Sequence, residues 1–107
     1  MTFLSSALGK LIYTIKFTGE FKRQMKLCER RGYDMEQLRE VIRILSTEGK
    51  LPEEYQPHQL HGDRKGQWEC HIQPDWLLIW KQNDRELVLI MLNIGTHSDL
   101  FSKKYKK

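Results

Sequence analysis

QWECHIQPDWLLIWKQNDRELVLIMLNIG, residues 67–95, reads as a run of strands. Gln67 to Gln73 alternates, with Trp68, Cys70 and Ile72 on one face and Glu69, His71 and Gln73 on the other. Trp76 to Lys81 is apolar on both faces, as a central strand covered from both sides is. Gln82-Asn83-Asp84-Arg85 supplies a hairpin turn, and Leu87 to Ile94 is the returning strand.

Upstream of this stretch the period changes. Leu11 to Phe17 alternates and reads as a first strand. Thr18 is placed to cap a helix carrying Phe21, Met25 and Cys28 on one side and a basic stripe, Lys22, Lys26 and Arg30, on the other; Gly32 stops it. Asp34 caps a second helix with Met35, Leu38, Val41, Ile42 and Leu45 as its apolar face and Gly49 as its stop. Two helices with so short a link form an antiparallel hairpin. Glu53 to Gly66 is polar and reads as a long loop with at most a short strand near Leu60; long ordered loops in small domains are often functional. Gly95 to Phe101 makes a turn or short helix. The fold class is therefore α+β, in the order β-α-α-β-β-β(-β), with the helical hairpin packed on an antiparallel sheet. A single domain fills 1–107, with 1–11 an N-terminal extension and 102–107, SKKYKK, a basic tail.

With 107 residues there is room for one packed core, and 39% hydrophobic content excludes a disordered chain. A net charge of +4 suits a polyanion or an acidic protein partner. Cys28 and Cys70 form no CxxC pair and read as reduced thiols, which points to the cytoplasm. The first residues lack a basic segment before their apolar ones, so they do not read as a signal peptide, and no apolar run approaches the roughly 18 residues of a membrane span. The expectation is a soluble chain with no membrane partner.

Four histidines, His58, His61, His71 and His97, fall in the second half, three beside loops or strand ends. Imidazoles near an acid, Asp75, suit proton transfer because histidine titrates near working pH. His58-x-x-His61 lacks the spacing of a metalloprotease helix, and there is no HExxH, phosphate-binding glycine loop or GxSxG, so neither metal nor cofactor is expected. Cys70 and His71 point to opposite faces and cannot form a thiol–imidazole pair. Trp68 and Trp80 read as core. Trp76, at a strand start, is a platform for a base if it is exposed.

These residues also spell motifs. His71-Ile72-Gln73-Pro74-Asp75-Trp76-Leu77-Leu78-Ile79-Trp80-Lys81 resembles the H-[VI]-x-P-D-W-[IL]-L-I-Y-K block of YafQ-like toxins in the RelE superfamily. Gly95-Thr96-His97-Ser98-Asp99-Leu100-Phe101 resembles their closing G-T-H-x-x-L-F, and His58-Gln59-Leu60 with Gly62 and Gly66 resembles their D-H-x-L-x-G…G loop. The resemblance covers roughly residues 12 to 101 and implies a RelE-like fold. It implies cleavage of mRNA in the A site of the 70S ribosome, and silencing by a small cognate antitoxin. It implies His58, His71, Asp75, His97 and Phe101 as the catalytic set, with His97 as chief proton-transfer residue, Asp75 orienting an imidazole, and Phe101, with Trp76, holding bases. Many relatives carry arginine where this chain has Trp68. Phosphate contact then falls to Arg64, Lys65 or the stripe of Lys22, Lys26 and Arg30. The alternative is a noncatalytic RelE-fold protein that only binds antitoxin or ribosome.

Overall fold

Two side-chain caps set the helical layer. In this computed structural model, which describes residues 12–101, the Thr18 hydroxyl accepts from the Phe21 N–H at 3.0 Å and starts α1, Gly19–Arg30. Asp34 accepts from the Glu36 N–H at 3.1 Å and starts α2, Met35–Glu48. Gly49 ends α2 in the left-handed conformation, φ 75°, where a Cβ would meet the Tyr13 hydroxyl at 2.6 Å, so glycine is required on two counts. Leu11, the extension before it and the basic tail lie outside the described residues.

Five strands make one sheet: β1, Thr14–Phe17; β2, His58–Gln59; β3, Trp68–Gln73; β4, Trp76–Asn83; and β5, Val88–Gly95. Their spatial order is β1-β5-β4-β3-β2, so the all-apolar β4 is central, as its composition anticipates. Three pairings are antiparallel, while β1 runs parallel to β5, with Thr14 opposite Val88 and Phe17 opposite Met91. The sheet is thus mixed, since a strand's own alternation carries no information about the direction of a partner 74 residues away. The loop from Glu53 to Gly66 holds two short 3-10 turns, Glu53–Tyr55 and Gly62–Arg64, and its strand is at His58–Gln59, just before Leu60. The last element is the short helix α3, His97–Phe101.

The core lies between the helices and one face of the sheet. Phe21, Cys28, Leu38, Val41 and Leu45 pack with Cys70, Ile72, Trp76, Leu78, Trp80, Leu89, Met91 and Ile94. Trp76 is fully buried; its indole N–H lies 3.3 Å from Cys28 Sγ, and its ring meets Tyr33 at 4.8 Å. This corrects the expectation of a base-stacking platform. Trp76, Leu78 and Trp80 alternate along β4 and so share the helix-facing side, where water and bases are excluded. Trp68 stacks on Trp80, with centroids 6.1 Å apart, on the same side.

Candidate functional site

The opposite face of the sheet carries the polar chemistry. His58 is registered with Glu69, His71 with Leu77, Leu77 with Gly95, and Ile79 with Asn93, so these side chains share one face. Asn93 arrives there through a bulge: Trp80 pairs with Met91 and Ile79 with Asn93, leaving Leu92 as the extra residue. There the Asn93 amide oxygen accepts from Arg64 at 3.0 Å while its amide nitrogen donates to Gln24 of α1 at 3.3 Å, so Asn93 joins the site to the helical layer. Bulges re-aim side chains in this way beside functional sites.

His58 and His71 lie with ring centroids 6.2 Å apart. His71 Nδ1 lies 3.2 Å from the Pro74 carbonyl, which selects the tautomer protonated at Nδ1 and leaves the Nε2 lone pair outward. His58 Nδ1 lies 2.9 Å from the Gln56 carbonyl, and its Nε2 lies 3.0 Å from a Glu69 carboxylate oxygen. Both ring nitrogens face oxygen acceptors. Glu69, 7% exposed, is the buried counter-charge. Reading the sequence misses its part; the signal is its place two residues before His71 on the polar face of β3.

The third histidine reaches the same region through the β3–β4 turn. Asp75 accepts from the backbone N–H of His97 at 2.8 Å. The expectation that Asp75 orients an imidazole is corrected: it holds the main chain at the start of α3. The His97 ring lies edge-on to Phe101, centroids 5.1 Å apart, one turn along α3. Arg64 covers the Phe101 ring at 5.7 Å, and its guanidinium donates to Gln67 at 2.7 Å and Asn93 at 3.0 Å. An arginine held by two amides and a ring is a preorganised donor for a phosphate oxygen. Lys65 is exposed beside it.

His61 is exposed and its carbonyl accepts from the Arg64 N–H. The basic stripe does not join the histidines. Lys22 and Lys26 rim a groove between α1 and α2, and Arg30 borders a hollow lined by Gln24 of α1 and Asp99 of α3. Cys70 is fully buried and burial pushes its thiol far up, which removes it as a nucleophile. Among the described residues, no three histidine, cysteine or acidic side chains converge to hold a metal. No described helix is long and apolar enough to cross a membrane.

Three imidazoles, a fixed guanidinium and a half-buried aromatic ring are a set able to move protons around a phosphate while a base stacks beside it. Comparison with known proteins points the same way. The family model for the YafQ toxin, a bacterial toxin of type II toxin–antitoxin systems, matches residues 13–102. The mRNA interferase toxin YafQ of Escherichia coli (strain K12) is 35% identical over 88 residues, covering 81% of this chain and 94% of that protein. The crystal structure of YafQ from E. coli strain BL21(DE3) superposes with a TM-score of 0.77 at 33% identity, covering 83% of this chain and 98% of that one. The E. coli DinJ–YafQ complex gives 0.76 at 34% identity, with the same coverage.

Proposed function

The chain belongs to the YafQ family of type II toxins, and we propose that it is an endoribonuclease that cleaves mRNA in the ribosomal A site by attack of a ribose 2′-hydroxyl on the adjacent phosphate. The observation that supports the mechanism is the pairing of His58 with His71 at the sheet and of His97 with Phe101 and Arg64 beside it, the two groups being linked through the Pro74–Asp75 turn. In the reaction the 2′-oxygen forms a bond to phosphorus and its proton passes to an imidazole. The bond from phosphorus to the 5′-oxygen breaks, and a second imidazole protonates that oxygen. The products are a 2′,3′-cyclic phosphate and a 5′-hydroxyl. No metal or cofactor takes part.

His97 is the chief proton-transfer residue. His71, with its Nε2 lone pair outward, is the second proton carrier. His58, held against Glu69, contacts the phosphate together with Arg64, whose guanidinium meets the negative charge that grows on the phosphoryl oxygens. Phe101 stacks a base and keeps the 2′-oxygen in line. The Trp68 departure leaves this set intact, because Trp68 lies on the core side and Arg64 comes from the loop. Growth arrest on induction, relieved by His97→Ala, tests the reading in cells.

The partner is a small cognate antitoxin, and the groove between α1 and α2 is where it docks. Phe17, Met25, Met35, Leu38 and Ile42 floor this space of about 410 Å³, while Lys22, Lys26 and Arg39 rim it. An amphipathic helix with acidic flanks matches that pattern, its charges mainly speeding association. Reversing Lys22 and Lys26 to Glu together is expected to weaken antitoxin binding at least about tenfold by calorimetry at moderate salt, with cleavage unchanged. Unaltered affinity would place the antitoxin elsewhere.

A further inference from the structure

The short helix that carries His97 and Phe101 is five residues long, too short to hold its own geometry. What holds it is a set of contacts at its start. Thr96 and Asp99 cap one another: the Thr96 N–H donates to Asp99 Oδ2 at 2.9 Å, and the Asp99 N–H donates to Thr96 Oγ1 at 3.1 Å. The same Asp99 Oδ2 receives Arg31 Nη1 at 2.8 Å, with Arg31 Nη2 at 3.4 Å from Oδ1. Arg31 is the residue that ends α1, so this ion pair spans 68 residues of chain and ties α3 to the helical layer. A Cβ on Gly95 would stand 3.0 Å from Asp99 Oδ2 and 3.1 Å from Asp99 Cβ, so the backbone there lies close against the Asp99 side chain, which would have to give way to any larger residue.

We propose that Arg31 is a positioning residue for cleavage: through Asp99 it fixes the rotation and distance of α3, and so aims the His97 and Phe101 rings at the scissile phosphate. The inference rests on the reading of the site as the ribonuclease centre. Asp75 holds one side of α3, by the His97 N–H, and Arg31 holds the other, by Asp99. With one tie cut, α3 can pivot about Gly95–Thr96 while the sheet beneath stays in place. Burial pushes the Asp99 carboxyl up, but the Arg31 guanidinium and the donors of Thr96 outweigh it and hold the group below the usual aspartate range. The tie is therefore charged, and present, at neutral pH. Arg31 touches neither His97 nor Phe101 in this arrangement and acts only through Asp99.

The test compares the full chain with Arg31→Ala and Arg31→Lys on 70S ribosomes programmed with a defined mRNA. Arg23→Ala is the control for losing an exposed α1 arginine. Cleavage is read in single turnover, ribosome affinity separately, and the order of α3 by ¹⁵N heteronuclear NOEs of the amides of residues 97–101. Arg31→Ala is expected to slow cleavage by about tenfold to a hundredfold, because small misplacement of reacting groups has costs of that order. Affinity and melting temperature should stay near wild type, and NOEs should fall at 97–101 but not in β4 or β5. Arg31→Lys, which keeps one charged contact, should recover much of the rate, and Arg23→Ala should cleave normally. Wild-type cleavage in Arg31→Ala overturns the proposal. So does a loss confined to ribosome affinity, which would make Arg31 a phosphate contact. If the wild-type chain itself does not cleave, the ribonuclease reading fails; the NOEs still show whether Arg31 holds α3, and unchanged NOEs overturn that too.

Discussion

His97→Ala should lower cleavage of ribosome-bound mRNA by on the order of 10²-fold or more, the loss typical when a proton-transfer group is removed. Ribosome binding should change little, because that affinity is spread over many phosphate contacts. The ring stands on a helix pinned by Asp75 and Asp99, and its edge meets Phe101. Removing it deletes chemistry without disturbing the core. Phe101→Ala should also slow cleavage, since a stacked base is worth roughly 1–3 kcal/mol. Phe101 also supports Arg64, so part of its loss comes through the guanidinium. His61→Ala is the control: the residue is exposed, and it meets Arg64 through its backbone carbonyl, which the substitution leaves. Single-turnover rates with parallel binding measurements decide it. Full activity in His97→Ala removes this residue from the mechanism.

Trp76→Ala should destabilise the fold by about 3–5 kcal/mol, as large-to-small changes of buried aromatics do. The indole is fully buried at the start of the central strand, against Tyr33 and Cys28, and nothing of similar size stands ready to fill its place. A chain of this length has a stability on the order of 5–15 kcal/mol, so the variant should melt far below wild type. Denaturant unfolding measures this. A variant that keeps wild-type stability and loses only RNA cleavage would restore the base-stacking role that burial excludes. Trp76→Phe should cost less than Trp76→Ala, because it keeps an aromatic ring in the core while losing part of the indole and its N–H to sulfur.

Burial of Trp76 was legible in principle. Trp76, Leu78 and Trp80 share one face of β4, and the register sets them beside Cys70 and Ile72, whose face was already read as core. What obscured it is that Leu77 and Ile79 are equally apolar, so composition alone does not say which face meets the helices. The caps, by contrast, were plain: Thr18 and Asp34 act locally, within three residues, and local hydrogen bonding is what sequence patterns report. The bulge at Leu92 left no trace, because an extra apolar residue in an apolar strand breaks no alternation. Glu69 and Asp75 illustrate the same limit at the site. Each is visible as an acid near a histidine, but the partner each takes, the His58 ring and the His97 N–H, depends on strand registers. The basic stripe of α1 divides in the structure: Lys22 and Lys26 frame the apolar groove, while Arg30 borders the hollow beside Asp99, a division that depends on what packs against the helix and so is not written in its spacing.

The ribonuclease reading is tested most directly by the ends of the RNA. Wild-type chain is added to purified 70S ribosomes holding a defined mRNA with an open A site, and to the same mRNA free in solution, without added metal beyond what the ribosomes need. The account predicts a cut within the A-site codon on ribosomes alone, leaving a 2′,3′-cyclic phosphate upstream and a 5′-hydroxyl downstream. Intact mRNA on the ribosome, or ends carrying a 3′-hydroxyl and a 5′-phosphate, would contradict it.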